Sequence, residues 1–241
     1  MQKISVVLPL HNEEDNLREL HSRLQVVLKE TRGPYEIIFV DDASTDGSFE
    51  ILKDINVNNP FVRVLRFKKN CGESAALAAG FDAARGEIVI AMDADLQSDP
   101  KDIHKLLEKL KTCDVAWGQR VNRRDNWIRK TFSWGGNFAR SVLIGDEATD
   151  AGSPLRAMKR EVVQKVKMFK GLHRFYPTLC RMEGFRVAEV EITHHPRTHG
   201  QSKYNIRNRL FKYMIDLLAV KWMHNRQIDY EIAGELDERT S

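Results

Sequence analysis

Cysteine is scarce: Cys71, Cys113 and Cys180 are the only three in 241 residues. They stand far apart with no Cys-x-x-Cys pair, which speaks against a disulfide framework and a cysteine-based zinc site and fits a reducing, cytoplasmic setting. No apolar run approaches the roughly 20 residues that a membrane-spanning helix needs. The richest late stretch, Tyr213 to Met223, is interrupted by Asp216 and Lys221. Near the start, Ile4-Ser-Val-Val-Leu8 follows almost directly on Met1, without the basic and long apolar segments of a signal peptide, so neither export nor a transmembrane helix is expected. Internal repeats, low-complexity tracts and linker-like composition breaks are missing as well. So are zinc-finger, RNP and helix-turn-helix signatures, which argues against a nucleic-acid partner.

What is present begins with a 42% apolar content, enough for a sizeable core in one large domain or a domain with an appendage. Charge is uneven: residues 1–116 hold 15 Lys/Arg against 20 Asp/Glu, and residues 117–241 hold 23 against 14. An acidic half followed by a basic one suits a phosphate-bearing substrate or an anionic membrane surface, or simply a solvated basic face. Short apolar runs alternate with helical periodicity through residue 117, which predicts βα units around a mostly parallel sheet. Strands are expected at 4–8, 36–40, 62–66, 87–92 and 113–117, with a later one near 185–192. Leu17, Leu20, Leu24, Val27 and Leu28 form a helical stripe, and Asp99-Pro100 caps a helix carrying Ile103, Leu106, Leu107 and Leu110. The alanine-rich segment 72–85 makes a helix able to approach the sheet closely.

Two acidic clusters end apolar strand-like runs: Asp41-Asp42 after Glu36–Val40, and Asp93-Ala94-Asp95-Leu96-Gln97 after Glu87–Met92. An open α/β sheet binds its ligand outside the carboxyl ends of its strands. Hard carboxylate oxygens at Asp93 and Asp95 suit Mg²⁺ or Mn²⁺ and, through it, a diphosphate. Arg120 lies just past the strand expected at 113–117, and Arg129 and Ser133 are one helical turn apart. Together they could receive a phosphate dianion through planar paired donors, or form part of a solvated basic face. His194, His195 and His199 lack a carboxylate or cysteine at ligand spacing and read as loop or phosphate contacts rather than a metal site. Asp46-Gly47 reads as a helix-starting cap. Ile206, Leu210, Met214, Leu217 and Leu218 share a helical face with Trp222 near its end, supplemented by Trp127, Ile128, Phe132, Trp134 and Phe138. That face either packs on the core or docks at an interface.

Taken together, Val7-Leu-Pro-Leu-His-Asn-Glu-Glu14, Val40-Asp-Asp-Ala-Ser-Thr-Asp-Gly-Ser48, Asn70-Cys-Gly72, Met92-Asp-Ala-Asp-Leu-Gln97 and Arg197-Thr-His-Gly-Gln-Ser-Lys-Tyr204 resemble the family 2 glycosyltransferases of the GT-A fold. The nearest likeness is to the dolichol- and polyprenyl-phosphate sugar transferases. Gly171-Leu-His-Arg-Phe-Tyr-Pro177 resembles a subgroup that charges undecaprenyl phosphate with a hexosamine or uronic sugar from a UDP donor. The resemblance implies a GT-A domain over residues 1–204 and an amphipathic membrane-interface helix with a tail over 205–241. It implies a donor pocket of Pro9, His11, Glu13, Asp42, Asp93 and Ala94, closed by Arg197 and Lys203 around Gly200. It implies a metal held by Asp93, Asp95 and Gln97, and an acceptor phosphate held by Arg120, Arg129 and Ser133. Asp150 stands about where relatives that glycosylate a hydroxyl keep a general base. His11 replaces the tyrosine usual in the family, and Gly152-Ser153 departs from its acidic or cysteine-containing versions.

The implied activity is inverting, metal-dependent sugar transfer to a polyprenyl phosphate by a peripheral protein on the cytoplasmic face of the inner membrane, which could be a homo-oligomer. The alternatives are a GDP-mannose-using polyprenyl-phosphate mannosyltransferase, a family 2 transferase with a hydroxyl acceptor, and a non-catalytic nucleotide-sugar-binding scaffold.

Overall fold

The structure is a computed structural model that describes residues 3–121, 140, 144, 150, 152–196 and 206–228. Its centre is a seven-stranded sheet in the order β3-β2-β1-β4-β6-β5-β7. The strands are β1 (Ile4–Leu10), β2 (Tyr35–Asp41), β3 (Val62–Arg66), β4 (Ile88–Ala91), β5 (Val115–Val121), β6 (Arg156–Lys159) and β7 (Val187–Thr193). Between them run helices α1 (Leu17–Glu30), α2 (Ser48–Asn58), α3 (Glu73–Ala83), α4 (Ile103–Lys109), α5 (Arg160–Lys165) and α6 (Tyr176–Met182), and α7 (Ile206–Asn225) follows β7.

Strand alternation separates two cores. Val6, Leu8, Ile37, Phe39 and Ile90 face the layer of α1, α2 and α4, where the Leu17–Leu28 stripe is buried. Val7, Ile38, Val40, Val89 and Ala91 face α3, α5, α6 and α7. Successive side chains on a strand point to opposite sides, so two covered faces read in sequence as unbroken apolar runs. The alanine-rich α3 does lie close to the sheet: a Cβ on Gly80 would stand 2.2 Å from Val7 Cγ1. Asp99 accepts the Lys101 N–H at 3.0 Å and Pro100 follows, so the expected cap is formed.

Two features differ from the sequence expectation. β6 was not anticipated; it runs antiparallel to both β4 and β5, and its four residues, Arg156 to Lys159, begin and end with a basic side chain, which hides any strand period. β5 runs on to Val121 because β7 pairs with it in parallel as far as Val121–Thr193. Arg120 therefore sits within a strand, opposite Ile192, and not beyond one.

Helix α7 divides the apolar face assigned to it. Leu217 and Val220 are fully buried in the second core with Tyr213 and Met223 against it, while Met214, Ile215, Leu218 and Trp222 are exposed, Trp222 at 64%. Ile206 and Leu210 have no described side chain. No described helix is long and apolar enough to cross a membrane.

Candidate active site

The cleft lies at the carboxyl ends of β1, β2, β4 and β5. The loops leaving β1 and β2 are cross-linked. Asn12 N–H donates to Ser44 Oγ at 2.9 Å, Thr45 N–H to Asn12 Oδ1 at 2.8 Å, Glu13 N–H to Ser48 Oγ at 2.9 Å and Gly47 N–H to Glu14 Oε2 at 2.6 Å. Asp46 accepts from Ser48 N–H at 3.0 Å and Glu14 N–H at 3.3 Å. Burial alone would raise its pKa; the hydrogen bonds from Ser48 and Glu14 hold it below the usual carboxylate value. Asn12, Ala43 and Leu96 all have positive φ. Three non-glycine residues in the left-handed region, each just after a central strand, mark a floor whose strain its surroundings enforce.

On that floor Pro9 is buried in β1, and partly buried His11 and Glu13 follow it. His11 Nδ1 lies 3.0 Å from the Asp42 carbonyl oxygen, and Glu13 Oε2 accepts from Asn16 Nδ2 at 2.7 Å. Asp41 is structural: its Oδ1 accepts the Ser44 N–H at 2.8 Å. Asp42 reaches the next loop, where its two oxygens accept Cys71 N–H at 2.6 Å and Gly72 N–H at 2.8 Å. Gly72 has φ +90, a backbone state that glycine adopts without a Cβ penalty, and this turn aims both N–H groups at the carboxylate.

After β4 the chain turns through partly buried Asp93, buried Ala94 and Asp95, and Leu96 at φ +59. Asp95 Oδ1 accepts the Gln97 N–H at 3.1 Å. Gln97 is tied to the end of β7: its Nε2 donates to the His195 carbonyl at 3.3 Å, and its own carbonyl accepts the His195 N–H at 2.8 Å. Ser98 and His194 form a β-bridge beside it. Both histidines make these contacts through their backbones. His199, like Arg129, Ser133, Arg197 and Lys203, lies outside the described residues.

The Asp93 carboxyl is pushed well above the usual range, by burial first and then by the negative charges of Glu73 and Asp95, against the pull of Arg156 and Arg120. Crowded carboxylates with oxygen-only donors are what a hard divalent cation would relieve. Among the described residues no group of three or more His, Cys, Asp or Glu gathers as a metal cluster. Asp93, Asp95 and the Gln97 Oε1 fit a Mg²⁺ or Mn²⁺ that takes its other oxygens from a ligand.

Across the cleft Arg120 meets Asp150 as a bidentate pair: Nε to Oδ2 at 2.7 Å and Nη2 to Oδ1 at 2.7 Å. The Arg120 N–H adds a third bond to Oδ2 at 3.1 Å, and Trp117 Nε1 holds the Asp150 carbonyl at 2.9 Å. The expected acceptor arginine and the expected base position are therefore one ion pair.

Two residues that the sequence reading passed over act electrostatically on Asp93. Arg156 on β6 is 3% exposed, with its guanidinium 4.9 Å from the Trp117 ring centroid and 5.7 Å from that of Tyr176. Burial lowers its pKa, and the charges of Glu73 and Asp93 oppose that shift. Glu73 opens α3, next to the Gly72 held by Asp42. Finding Arg156 required the antiparallel strand that carries it; Glu73 could have been found from its place directly after Asn70-Cys-Gly72.

A family model for glycosyl transferase family 2 matches residues 5–167. Over 224 residues the chain is 35% identical to a dodecaprenyl-phosphate galacturonate synthase of Rhizobium johnstonii, covering 90% of this chain and 66% of the relative. Over 219 residues it is 37% identical to an undecaprenyl-phosphate 4-deoxy-4-formamido-L-arabinose transferase of Aeromonas hydrophila, covering 90% and 67%. The chain thus spans about two thirds of the length of these curated relatives. Among solved structures, glucosyl-3-phosphoglycerate synthase of Mycobacterium tuberculosis with Mn²⁺, UDP-glucose and phosphoglyceric acid shares the fold at TM-score 0.68 and 19% identity, covering 95% of this chain and 81% of that one. A Pyrobaculum calidifontis mannosyltransferase with GDP-mannose and Mn²⁺ does so at TM-score 0.63 and 20% identity, covering 90% and 63%. By the match to its family model and the identity to its relatives, the chain belongs to glycosyl transferase family 2.

Proposed function

We propose that this protein transfers a sugar from a nucleotide-sugar donor, a UDP-sugar of hexosamine or uronic type being favoured, to the phosphate of a polyprenyl phosphate such as undecaprenyl phosphate. The observation that carries the reading is that the sheet brings Asp42 and the Asp93–Asp95 turn, which follow β2 and β4, to the same edge as Arg120 at the end of β5. The acidic side suits a metal–diphosphate; the basic side suits a second phosphate. Names of the curated relatives support the acceptor and the sugar class. Nucleotide sugars and Mn²⁺ in the solved neighbours support the donor and the cofactor.

The chemistry follows from the acceptor. A phosphate monoester loses its second proton near a pKa of about 6, so at neutral pH it presents an oxyanion that needs no base. That oxygen attacks the anomeric carbon as the bond to the nucleoside diphosphate breaks, giving inversion, a sugar phosphodiester and free nucleoside diphosphate. When bound, a divalent ion neutralises charge on the departing diphosphate. Pro9, His11, Glu13 and Asp42 shape the nucleotide end, and Arg120, with Arg129 and Ser133, orients the attacking phosphate. Arg197 and Lys203 close over the donor. Because Asp150 spends both oxygens on Arg120, its part is to hold that guanidinium, as phosphate acceptance requires and hydroxyl activation would not. The exposed apolar side of α7, with Trp222 at its outer end, faces the lipid surface that carries the acceptor tail, so the protein works as a peripheral one at the cytoplasmic face of the inner membrane.

The test is to incubate protein and Mn²⁺ with UDP- and GDP-sugars and either a short polyprenyl phosphate or the matching polyprenol, and to weigh products by mass spectrometry. Glycolipid is expected from the phosphate alone and lost in Asp95→Ala. Equal use of the alcohol, or full activity in the variant, would overturn the reading.

A further inference from the structure

The Gly171–Pro177 segment is the one motif of the sequence to which the cleft chemistry gives no part, and the structure lays it across the start of α3. Gly171 N–H donates to Ser74 Oγ at 3.1 Å, Ser74 Oγ stands 2.7 Å from His173 Nδ1, and His173 Nε2 lies 3.5 Å from Glu73 Oε2. In the neutral Nε2–H tautomer all three contacts are met: Gly171 donates to Ser74, the Ser74 hydroxyl donates to Nδ1, and the Nε2–H faces the Glu73 carboxylate; the imidazolium meets them too, donating from both ring nitrogens. Gly171 has φ +88, and a Cβ there would fall 2.7 Å from Asp216 Oδ2 of α7. The positive φ favours glycine at this turn, and a side chain there would also push the Asp216 carboxylate aside. Ser74 is 7% exposed, whereas the Glu73 side chain is 42% exposed and can still meet a ligand.

The first turn of α3 is thus held from both sides. Asp42 grips Cys71 and Gly72 on the nucleotide side, and His173 grips Glu73 and Ser74 on the other. We infer that His173 is a positioning residue of the donor site, which sets Glu73 to accept hydrogen bonds from hydroxyl groups of the donor sugar. This rests on the reading of the cleft as a nucleotide-sugar site and names the group that reads the sugar. The diphosphate is not the partner of Glu73, because a carboxylate repels it; the hydroxyl groups of the sugar ring supply the donors that Glu73 lacks. Glu73 directly follows Gly72, whose N–H Asp42 holds at 2.8 Å, which places it at the rim of the nucleotide pocket at the carboxyl end of β2, where the sugar joined to the diphosphate must lie.

The experiment compares affinities for UDP and for UDP-galacturonic acid, UDP-glucuronic acid and UDP-N-acetylglucosamine, by calorimetry with Mn²⁺, in wild type, Glu73→Gln, His173→Ala, His173→Asn and His173→Gln. Loss of a fixed sugar contact should weaken the best UDP-sugar by about 10- to 100-fold in Glu73→Gln and His173→Ala, while UDP binds as in wild type. His173→Gln, whose amide reaches the Nε2 position, should recover most of that affinity; His173→Asn, which reaches only the Nδ1 position, should not. Equal losses for UDP and UDP-sugar would mean that His173 merely supports the loop, and unchanged binding in His173→Ala would mean that it does nothing here; either overturns the inference. Wild type that binds no UDP compound would instead remove the UDP-sugar reading of the cleft, and the inference with it.

Discussion

At the scale of single residues, the Arg120–Asp150 pair carries the sharpest expectation. If Asp150 serves as an anchor, Asp150→Asn lowers kcat by freeing the guanidinium but leaves the acid limb of the pH–rate profile near 6, because that limb belongs to the acceptor phosphate. A limb that disappears in the variant would make Asp150 the base. Glu36 shows the same chemistry used for stability at the opposite end of the sheet. It is 5% exposed and accepts from Ser5 Oγ at 2.7 Å, Arg63 Nη1 at 2.7 Å and Arg85 N–H at 2.8 Å. Burial would raise its pKa; these bonds, with Lys3 at 3.9 Å, bring it below the usual value. A lowered folded pKa means stabilisation that is present above the unfolded value and is lost as pH falls through the folded one. Glu36→Gln should therefore cost about 1.5–3 kcal/mol near pH 7 and progressively less below about pH 4, read from urea unfolding midpoints.

At the scale of elements, α3 and α7 separate what sequence reveals from what it hides. The alanines of α3 announced close packing, and Gly80 shows how close: Gly80→Ala should destabilise by about 1–3 kcal/mol through overpacking against Val7. Apolar period alone could not divide α7, because Leu217 and Leu218 are neighbours on the helix and either could face the core. The structure buries Leu217 and exposes Leu218 at 56%. Leu217→Ala is expected to cost about 2–5 kcal/mol of stability. Leu218→Glu and Trp222→Glu should leave stability within about 0.5 kcal/mol yet weaken flotation with anionic phospholipid vesicles. Normal flotation of the double variant would refute docking through α7. The strands and helices of the first 117 residues were legible because their periods are clean and their caps explicit. β6 was not: four residues with a basic one at each end show no alternation, and its antiparallel pairing comes from long-range contacts alone.

At the scale of the molecule, the topology explains why the site was partly readable. Parallel strands bring Asp42, Asp93 and Arg120 to one edge of the sheet although they are far apart in sequence, so motif order and strand ends together located the cleft. The roles within it were less accessible. That Asp42 ties down the 71–72 loop, that Arg120 is clamped by Asp150, and that Arg156 stacks on the Trp117 ring all depend on side-chain geometry across different elements, which no local pattern encodes. The central claim is that Asp93 and Asp95 hold a divalent ion together with the donor diphosphate. Anomalous diffraction at the manganese edge from crystals grown with UDP and Mn²⁺ tests it most directly. The account predicts one manganese peak shared by the Asp93 and Asp95 carboxylates and the diphosphate, absent in Asp95→Ala; well-ordered UDP in the cleft with no manganese at these carboxylates would contradict it.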